Sequence, residues 1–178
     1  YTRSFSRYFG RLGAFALISH VPYVFFTEGA VTILPFSMMY TLSLGLLAIY
    51  SYDRIQNKTK RWLAVFGLAF LSVLGDWGFL GVLFCIVFYV NKDSFRDQCI
   101  SISAFALVMT VSQAASYVSM GCSLWEALGG SVFHLGIVLS LPLLYLYSGE
   151  RGGSDRSRWL FYIFYPAHLL VLGILRWM

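Results

Sequence analysis

The sequence predicts an all-α fold: a polytopic transmembrane helix bundle of about seven segments, with its N-terminal end on the cytoplasmic side. Three observations predict it. The 178-residue chain is 58% hydrophobic and only 12% charged. Its mean hydropathy is +0.71, more apolar surface than a soluble domain of this size can cover with a polar exterior. Its apolar residues fall into seven runs, and its basic residues alternate between the ends of those runs.

The runs are Phe5–Phe26, Ile33–Tyr52, Trp62–Leu74, Phe79–Val90, Ile100–Val118, Ser131–Tyr147 and Trp159–Trp177. A spanning helix needs about 20 apolar residues, and tilt or local thinning widens that range. The third and fourth runs are short and are separated only by Gly75-Asp76-Trp77-Gly78. They read as two short spans joined by a tight turn, with a single broken helix or a re-entrant pair as the alternative. With alternating spans and a cytoplasmic N-terminal end, Arg3, Arg7, Arg11, Arg54, Lys58, Lys60, Arg61, Lys92, Arg96, Arg151, Arg156 and Arg158 all fall inside. That is twelve of the thirteen basic residues, and only Arg176 falls outside. Counting the short pair as one crossing would invert every later loop. The net charge of +5 therefore reflects topology, and no nucleic-acid partner is expected. Trp62 and Trp159 fall at inner helix ends, and Trp77, Trp125 and Trp177 at outer ones, as an interfacial aromatic belt requires.

The expected partner is the lipid bilayer, in a cytoplasmic (inner) membrane. Cys85, Cys99 and Cys122 have no CxxC spacing and lie at different levels, so neither a disulfide framework nor a metal site is expected. The chain starts at Tyr1 without a signal-peptide pattern, and Arg3, Arg7 and Arg11 lead straight into a span. It reads as one transmembrane domain, residues 1–178, that forms the C-terminal part of a longer protein.

Within the last run, Tyr162-Ile163-Phe164-Tyr165-Pro166-Ala167-His168-Leu169-Leu170 places an imidazole and a proline among apolar residues. An intramembrane ionisable residue points first to function. Pro166 has no N–H for the carbonyl of Tyr162, which predicts a kink. His168 lies nine residues after Trp159, about 14 Å along a helix, near mid-membrane. Tyr165 precedes it by three residues on the same face, and Tyr162 by six. The plainer reading is a histidine that ties down the carbonyl freed by Pro166, or bonds to a neighbouring helix.

Other polar positions carry paired readings. Asp76 in its short outer turn could hold a cationic acceptor or orient a histidine, and equally could cap the next helix. His20 and His134 lie near outer helix ends and could line a vestibule with Glu28, Asp76 and Glu126, or be interfacial residues. Arg54, Lys58, Lys60 and Arg61 could bind phosphates, or be ordinary inside charge. Arg151-Gly152-Gly153-Ser154-Asp155-Arg156 is a polar inner loop without a phosphate-loop pattern. Ser101, Ser103, Thr110, Ser112, Gln113 and Ser116 mark a polar face of the fifth run, expected to look into the bundle or a wet cavity.

The motif Phe161–Leu169 resembles the TraX family of bacterial membrane proteins. Three further stretches resemble the family in the same order. They are Thr2-Arg3 with Tyr8, Arg11-Leu12, Phe15–Ser19 and Pro22-Tyr23; then Thr41-Leu42 with Gly45; then Asp76-Trp77-Gly78 with Gly81-Val82. The resemblance implies a membrane acyltransferase, leaning toward an acyl-CoA-dependent O- or N-acetyltransferase. Acetyl-CoA would be the co-substrate, and the acceptor a pilin-like or cell-envelope amine or hydroxyl. It also implies that the family's opening helices, one with an Asp-His pair, lie upstream of Tyr1. Acyl transfer needs a base for the acceptor proton, donors for the oxyanion, and alignment of the two substrates. On that reading His168, Tyr165 and Asp76 are the catalytic candidates. Arg54, Lys58, Lys60 and Arg61 are the acetyl-CoA contacts, and His20, Gln113 and Tyr162 the substrate contacts. A transporter or flippase-like protein, built on proline-broken helices, and a non-catalytic assembly subunit are the competing readings.

Overall fold

The computed structural model describes residues 5–30, 32–146 and 155–178, with only the backbone of 155–159 and 161. The expectations that fall on Thr2, Arg3, Tyr147 and residues 151–154 lie outside the described residues. So do those on the side chains of Arg156, Arg158, Trp159 and Phe161.

The fold is all-helical. α1 is Phe5–Glu28, α2 Met38–Arg54, α3 Lys58–Leu71, α4 Gly78–Val90 and α5 Phe95–Ser119. α6 is Leu124–Ser131, α7 Ser140–Tyr145 and α8 Asp155–Trp177. Three helical stretches are long and apolar enough to cross a membrane: Phe5–Glu28, Phe95–Ser119 and Leu124–Tyr145. Gly78–Val90 and Tyr162–Trp177 are shorter apolar helices. Length therefore supports three of the seven expected crossings directly. Leu17 is 76% exposed and Phe70 75%, so these helices turn large apolar side chains outward, as lipid-facing surfaces do.

The chain forms two compact units, residues 1–86 with 152–178, and residues 87–151. In the first, α1 and α8 run parallel. Phe15 stacks on Tyr162 with ring centroids 4.6 Å apart, Tyr23 and Val24 pack with Leu169, and Phe26 O accepts from Arg176 and Trp177. α2 runs antiparallel to α1, with Phe5 on Tyr50 at one end (4.0 Å) and His20 beside Phe36 at the other (5.3 Å). α3 turns back along α2, from Tyr52–Trp62 contact to the Tyr40 hydroxyl, which donates to Leu71 O. α4 then runs parallel to α2, where Gly81 faces Thr41 and Gly45 faces Cys85. The third and fourth runs are thus two helices of opposite direction, not one broken helix. Ala48, Val65, Ala69, Val82 and Ile86 form their common core.

Two boundaries differ from the sequence reading. α2 starts at Met38, not Ile33, because residues 32–37 are spent on a strap. Pro35 has no N–H to give a helix, and the backbone of Phe36 pairs with the α3–α4 turn, donating to Leu74 O (2.9 Å) and accepting from Asp76 N (3.0 Å). The sixth run starts at Leu124, not Ser131. Ser123 and Glu126 close a capping box in which Glu126 Oε2 accepts from Ser123 N (2.9 Å) and Ser123 Oγ (2.7 Å). This satisfies orphan amides of the first turn. It gives Glu126 a helix-starting role.

In the second unit the polar face of α5 is mixed, with Thr110 buried and Ser101 and Gln113 half-buried. Ser101, Thr110 and Ser116 donate to carbonyls four residues back, at Asp97, Ala106 and Ser112. Ser103 and Ser112 are exposed. A hydroxyl that bonds its own helix needs no wet cavity. His134 Nδ1 similarly pairs with Ser131 O at 3.1 Å.

Candidate functional site

The first unit gathers the polar residues that matter at one end of the α1–α2–α8 packing and at the α3–α4 turn. The turn is tightly built. Ser72 is fully buried, and its hydroxyl reaches the carbonyls of Ala69 and Gly78, both at 2.7 Å. A Cβ at Gly75 would lie 2.5 Å from Thr41 Oγ1, and one at Gly81 would lie 2.5 Å from Thr41 Cγ2. Only glycine lets the turn approach α2 this closely. The Phe36 strap then fixes the Asp76 backbone.

Asp76 is thereby held in place while its carboxylate stays exposed. Its Oδ1 accepts a hydrogen bond from the Tyr23 hydroxyl at 2.9 Å. Tyr23 is itself buried, 6% exposed, so the phenol is a fixed donor rooted in the core of α1 and α8. The Tyr165 hydroxyl lies within electrostatic reach of Asp76 and close to the backbone of Met38, the first residue of α2. Four elements therefore meet here: α1 through Tyr23, the turn through Asp76, α2 through Met38 and α8 through Tyr165.

His168 adjoins this group through Tyr165, whose ring meets the imidazole edge-on with centroids 5.5 Å apart. Phe164 stacks on its other side at 5.0 Å. Nδ1 lies 3.0 Å from Phe164 O. A carbonyl only accepts, so in the neutral ring the proton is assigned to Nδ1, and Nε2 keeps its lone pair. The carbonyl held is that of Phe164, four residues back, and not the Tyr162 carbonyl that Pro166 leaves without its usual donor. His168 thus bonds its own helix, at a carbonyl other than the one freed by Pro166, and through one nitrogen only, which orients the other.

His20 sits against Phe36 with Nε2 3.2 Å from Thr32 O. Its Nδ1 is buried without a partner among the described residues, as are the hydroxyls of Ser19 on α1, Ser37 at the end of the strap and Thr41 on α2. Tyr162 stacks on Phe15, lower on the α1–α8 seam. Gln113 is half-buried on α5 in the second unit and is not one of the residues the first unit brings together. Among the described residues, no group of His, Cys, Asp and Glu could hold a metal ion.

The basic cluster lies at the α2–α3 connection, at the opposite end of α2 from Met38. Arg61 spends its Nε on Ile55 O (3.0 Å) and lies over the Tyr52 ring at 4.9 Å. Arg54 lies over Tyr50 at 5.4 Å. Lys58 and Lys60 are exposed. Arg61 therefore helps to close the connection, Arg54 packs along its own helix, and Lys58 and Lys60 extend into solvent.

Comparison with known protein families matches the TraX protein family over residues 1–176. The chain belongs to the TraX family. It is 25% identical over 185 residues to the probable fimbrial assembly protein FimC, serogroup H1, of Dichelobacter nodosus, covering 97% of this chain and 72% of that protein. No solved structure matches it. The TraX match takes in every element that builds the site, from Tyr23 through Asp76 to His168.

In sequence Tyr23 has no role beyond its place in the Pro22-Tyr23 stretch, and Phe36 has none. Tyr23 follows Pro22 in an apolar run and looks like one more aromatic core residue, which by burial it is. Only the folded contact with Asp76, 53 residues away, gives its hydroxyl a task. Phe36 acts through its backbone, which carries no sequence signal.

Proposed function

We propose that this TraX-family chain is a membrane acetyltransferase that moves an acetyl group from cytoplasmic acetyl-CoA to an amine or hydroxyl of a pilin-like or cell-envelope acceptor. The observation that carries the reading is the orientation of His168. With Nδ1 committed to Phe164 O, Nε2 is an unprotonated nitrogen beside Tyr165, and imidazole is the side chain best matched to proton transfer near neutral pH. The acceptor N–H or O–H gives its proton to Nε2 as its nitrogen or oxygen bonds to the acetyl carbon. The carbon–sulfur bond then breaks, and the CoA thiolate leaves with a proton returned from His168. Asp76, steadied by Tyr23, faces the acceptor. Arg54, Lys58, Lys60 and Arg61 face the donor.

The orientation proposed is multi-pass in the cytoplasmic membrane, with the α1 N-terminus and the α2–α3 connection inside. Its support is the alternating direction of α1, α2, α3 and α4, the parallel run of α1 and α8, and the concentration of basic residues at one end.

The test is acetyl transfer from labelled acetyl-CoA to a purified pilin-like acceptor by the full-length protein. His168→Ala, at equal folded yield, is expected to lower the rate by about 100-fold or more, the ordinary weight of a general base. Undiminished transfer by the variant would remove His168 from the mechanism. The name of the Dichelobacter nodosus relative favours a second reading, a membrane subunit for fimbrial assembly that does no chemistry. That reading gains if the wild type transfers no label while its deletion still blocks fimbriae.

A further inference from the structure

Arg11 fits poorly with simple inside charge. α1 begins at Phe5, so Arg11 stands six residues into the helix, about 9 Å along it. It is half-buried, and its Nε is buried with no hydrogen-bond partner. Its described surroundings are aromatic. The guanidinium carbon is 6.0 Å from the centroid of Tyr8, whose phenol lies within electrostatic reach of both Arg11 and Tyr162. Tyr162 in turn stacks on Phe15. Other arginines of this unit are used differently: Arg61 donates to Ile55 O and Arg176 to Phe26 O.

A guanidinium kept within an apolar helix, with no counter-charge among the described residues, weakens the fold unless something else uses it. Its planar fork of donors matches phosphate oxygens better than any other side chain. Position agrees with that chemistry. Arg11 lies beside Tyr8, which neighbours Tyr162 at the α1–α8 seam, and the rings of that seam lead through Tyr162 and Tyr165 to His168. Counting along the two helices, Arg11 and His168 stand about 15 Å apart in level, the order of an extended pantetheine arm. We propose that Arg11 is a phosphate-binding residue, receiving the diphosphate of the acyl donor so that the thioester lies along the α1–α8 seam toward His168.

This inference rests on the acetyl-transfer reading for its ligand, but its test separates the two. Binding of coenzyme A, pantetheine and inorganic pyrophosphate to the purified full-length protein is measured by calorimetry, for wild type, Arg11→Gln and Arg11→Lys. Arg11→Gln is expected to weaken coenzyme A and pyrophosphate at least tenfold and to leave pantetheine unchanged. Arg11→Lys, which keeps the charge but not the fork, should fall between. The ligand-free Arg11→Gln protein should melt at or above the wild-type temperature, since an unpaired charge has been removed; a structural arginine would give a lower one. Coenzyme A binding that ignores both substitutions overturns the inference and leaves acetyl transfer standing. Binding of pyrophosphate that depends on Arg11, with no binding of coenzyme A, keeps the phosphate site and overturns the choice of donor. A wild type that binds neither ligand overturns both.

Discussion

The Tyr23–Asp76 hydrogen bond ties the only described acidic residue of the α3–α4 turn to the core of the first unit. A phenol donating to a carboxylate is a charge-assisted bond, but Asp76 is exposed, so water competes for the carboxylate and the bond adds only about 1 kcal/mol or less to stability. Its larger effect is on position. Tyr23→Phe keeps the ring that packs with Val24 and Leu169 and removes only the donor. Transfer is expected to fall roughly tenfold, about 1.4 kcal/mol of transition-state positioning, chiefly through a higher KM for the acceptor, while the melting temperature barely moves. A large loss of stability with unchanged kinetics would show that the hydroxyl serves the fold alone. His168 differs in kind. Its environment was visible from Pro166 and the surrounding apolar run, but which nitrogen is free depends on the Phe164 carbonyl, and that follows from the rotamer.

At the scale of elements, the α3–α4 turn and the start of α6 are the two places where local chemistry decides geometry. Gly81 sits against Thr41 Cγ2 with no room for a methyl group. Gly81→Ala should cost about 1–3 kcal/mol by overpacking. Adding Thr41→Ser, which removes the offending methyl, should restore much of that loss, and thermal unfolding of the single and double variants measures the coupling. Independent, additive losses would place the strain elsewhere, at Trp77. The α6 capping box carries a separate expectation. Ser123→Ala should cost about 1 kcal/mol of stability and leave acetyl transfer unchanged, because Glu126 and Ser123 serve only the helix start. The capping box is legible in sequence as Ser123 followed three residues on by Glu126. The shift of α2 to Met38 had a weaker signal, Pro35, whose consequence depended on the pairing of Phe36 with a turn nearly forty residues later.

At the scale of the whole molecule, the proposed topology makes a directional prediction. A single cysteine at Lys60, in an otherwise cysteine-free variant, should react with a membrane-impermeant thiol reagent only in inverted vesicles. One at Asp76 should react only in intact, right-side-out preparations. Labelling of both from one side would break the alternation of α3 and α4 and with it the proposed inside placement of the donor site.

What the sequence determined by itself was composition, the sign of charge at each helix end, and the isolated histidine and proline. Each is a property of residues one at a time or of neighbours along the chain: apolar runs long enough to demand helix, basic residues that stay with water, a proline without its N–H. Tertiary structure alone decided which of the polar residues meet. Tyr23 and Asp76 are far apart in sequence and come together because glycines at 75 and 81 let the turn press onto α2 and the Phe36 backbone locks it there. Arg11 counted in sequence as one more inside charge. Its half-buried place beside Tyr8, whose phenol neighbours Tyr162, follows from the parallel packing of α1 on α8, since the environment of a charge is set by the helices around it and not by its own position in the chain.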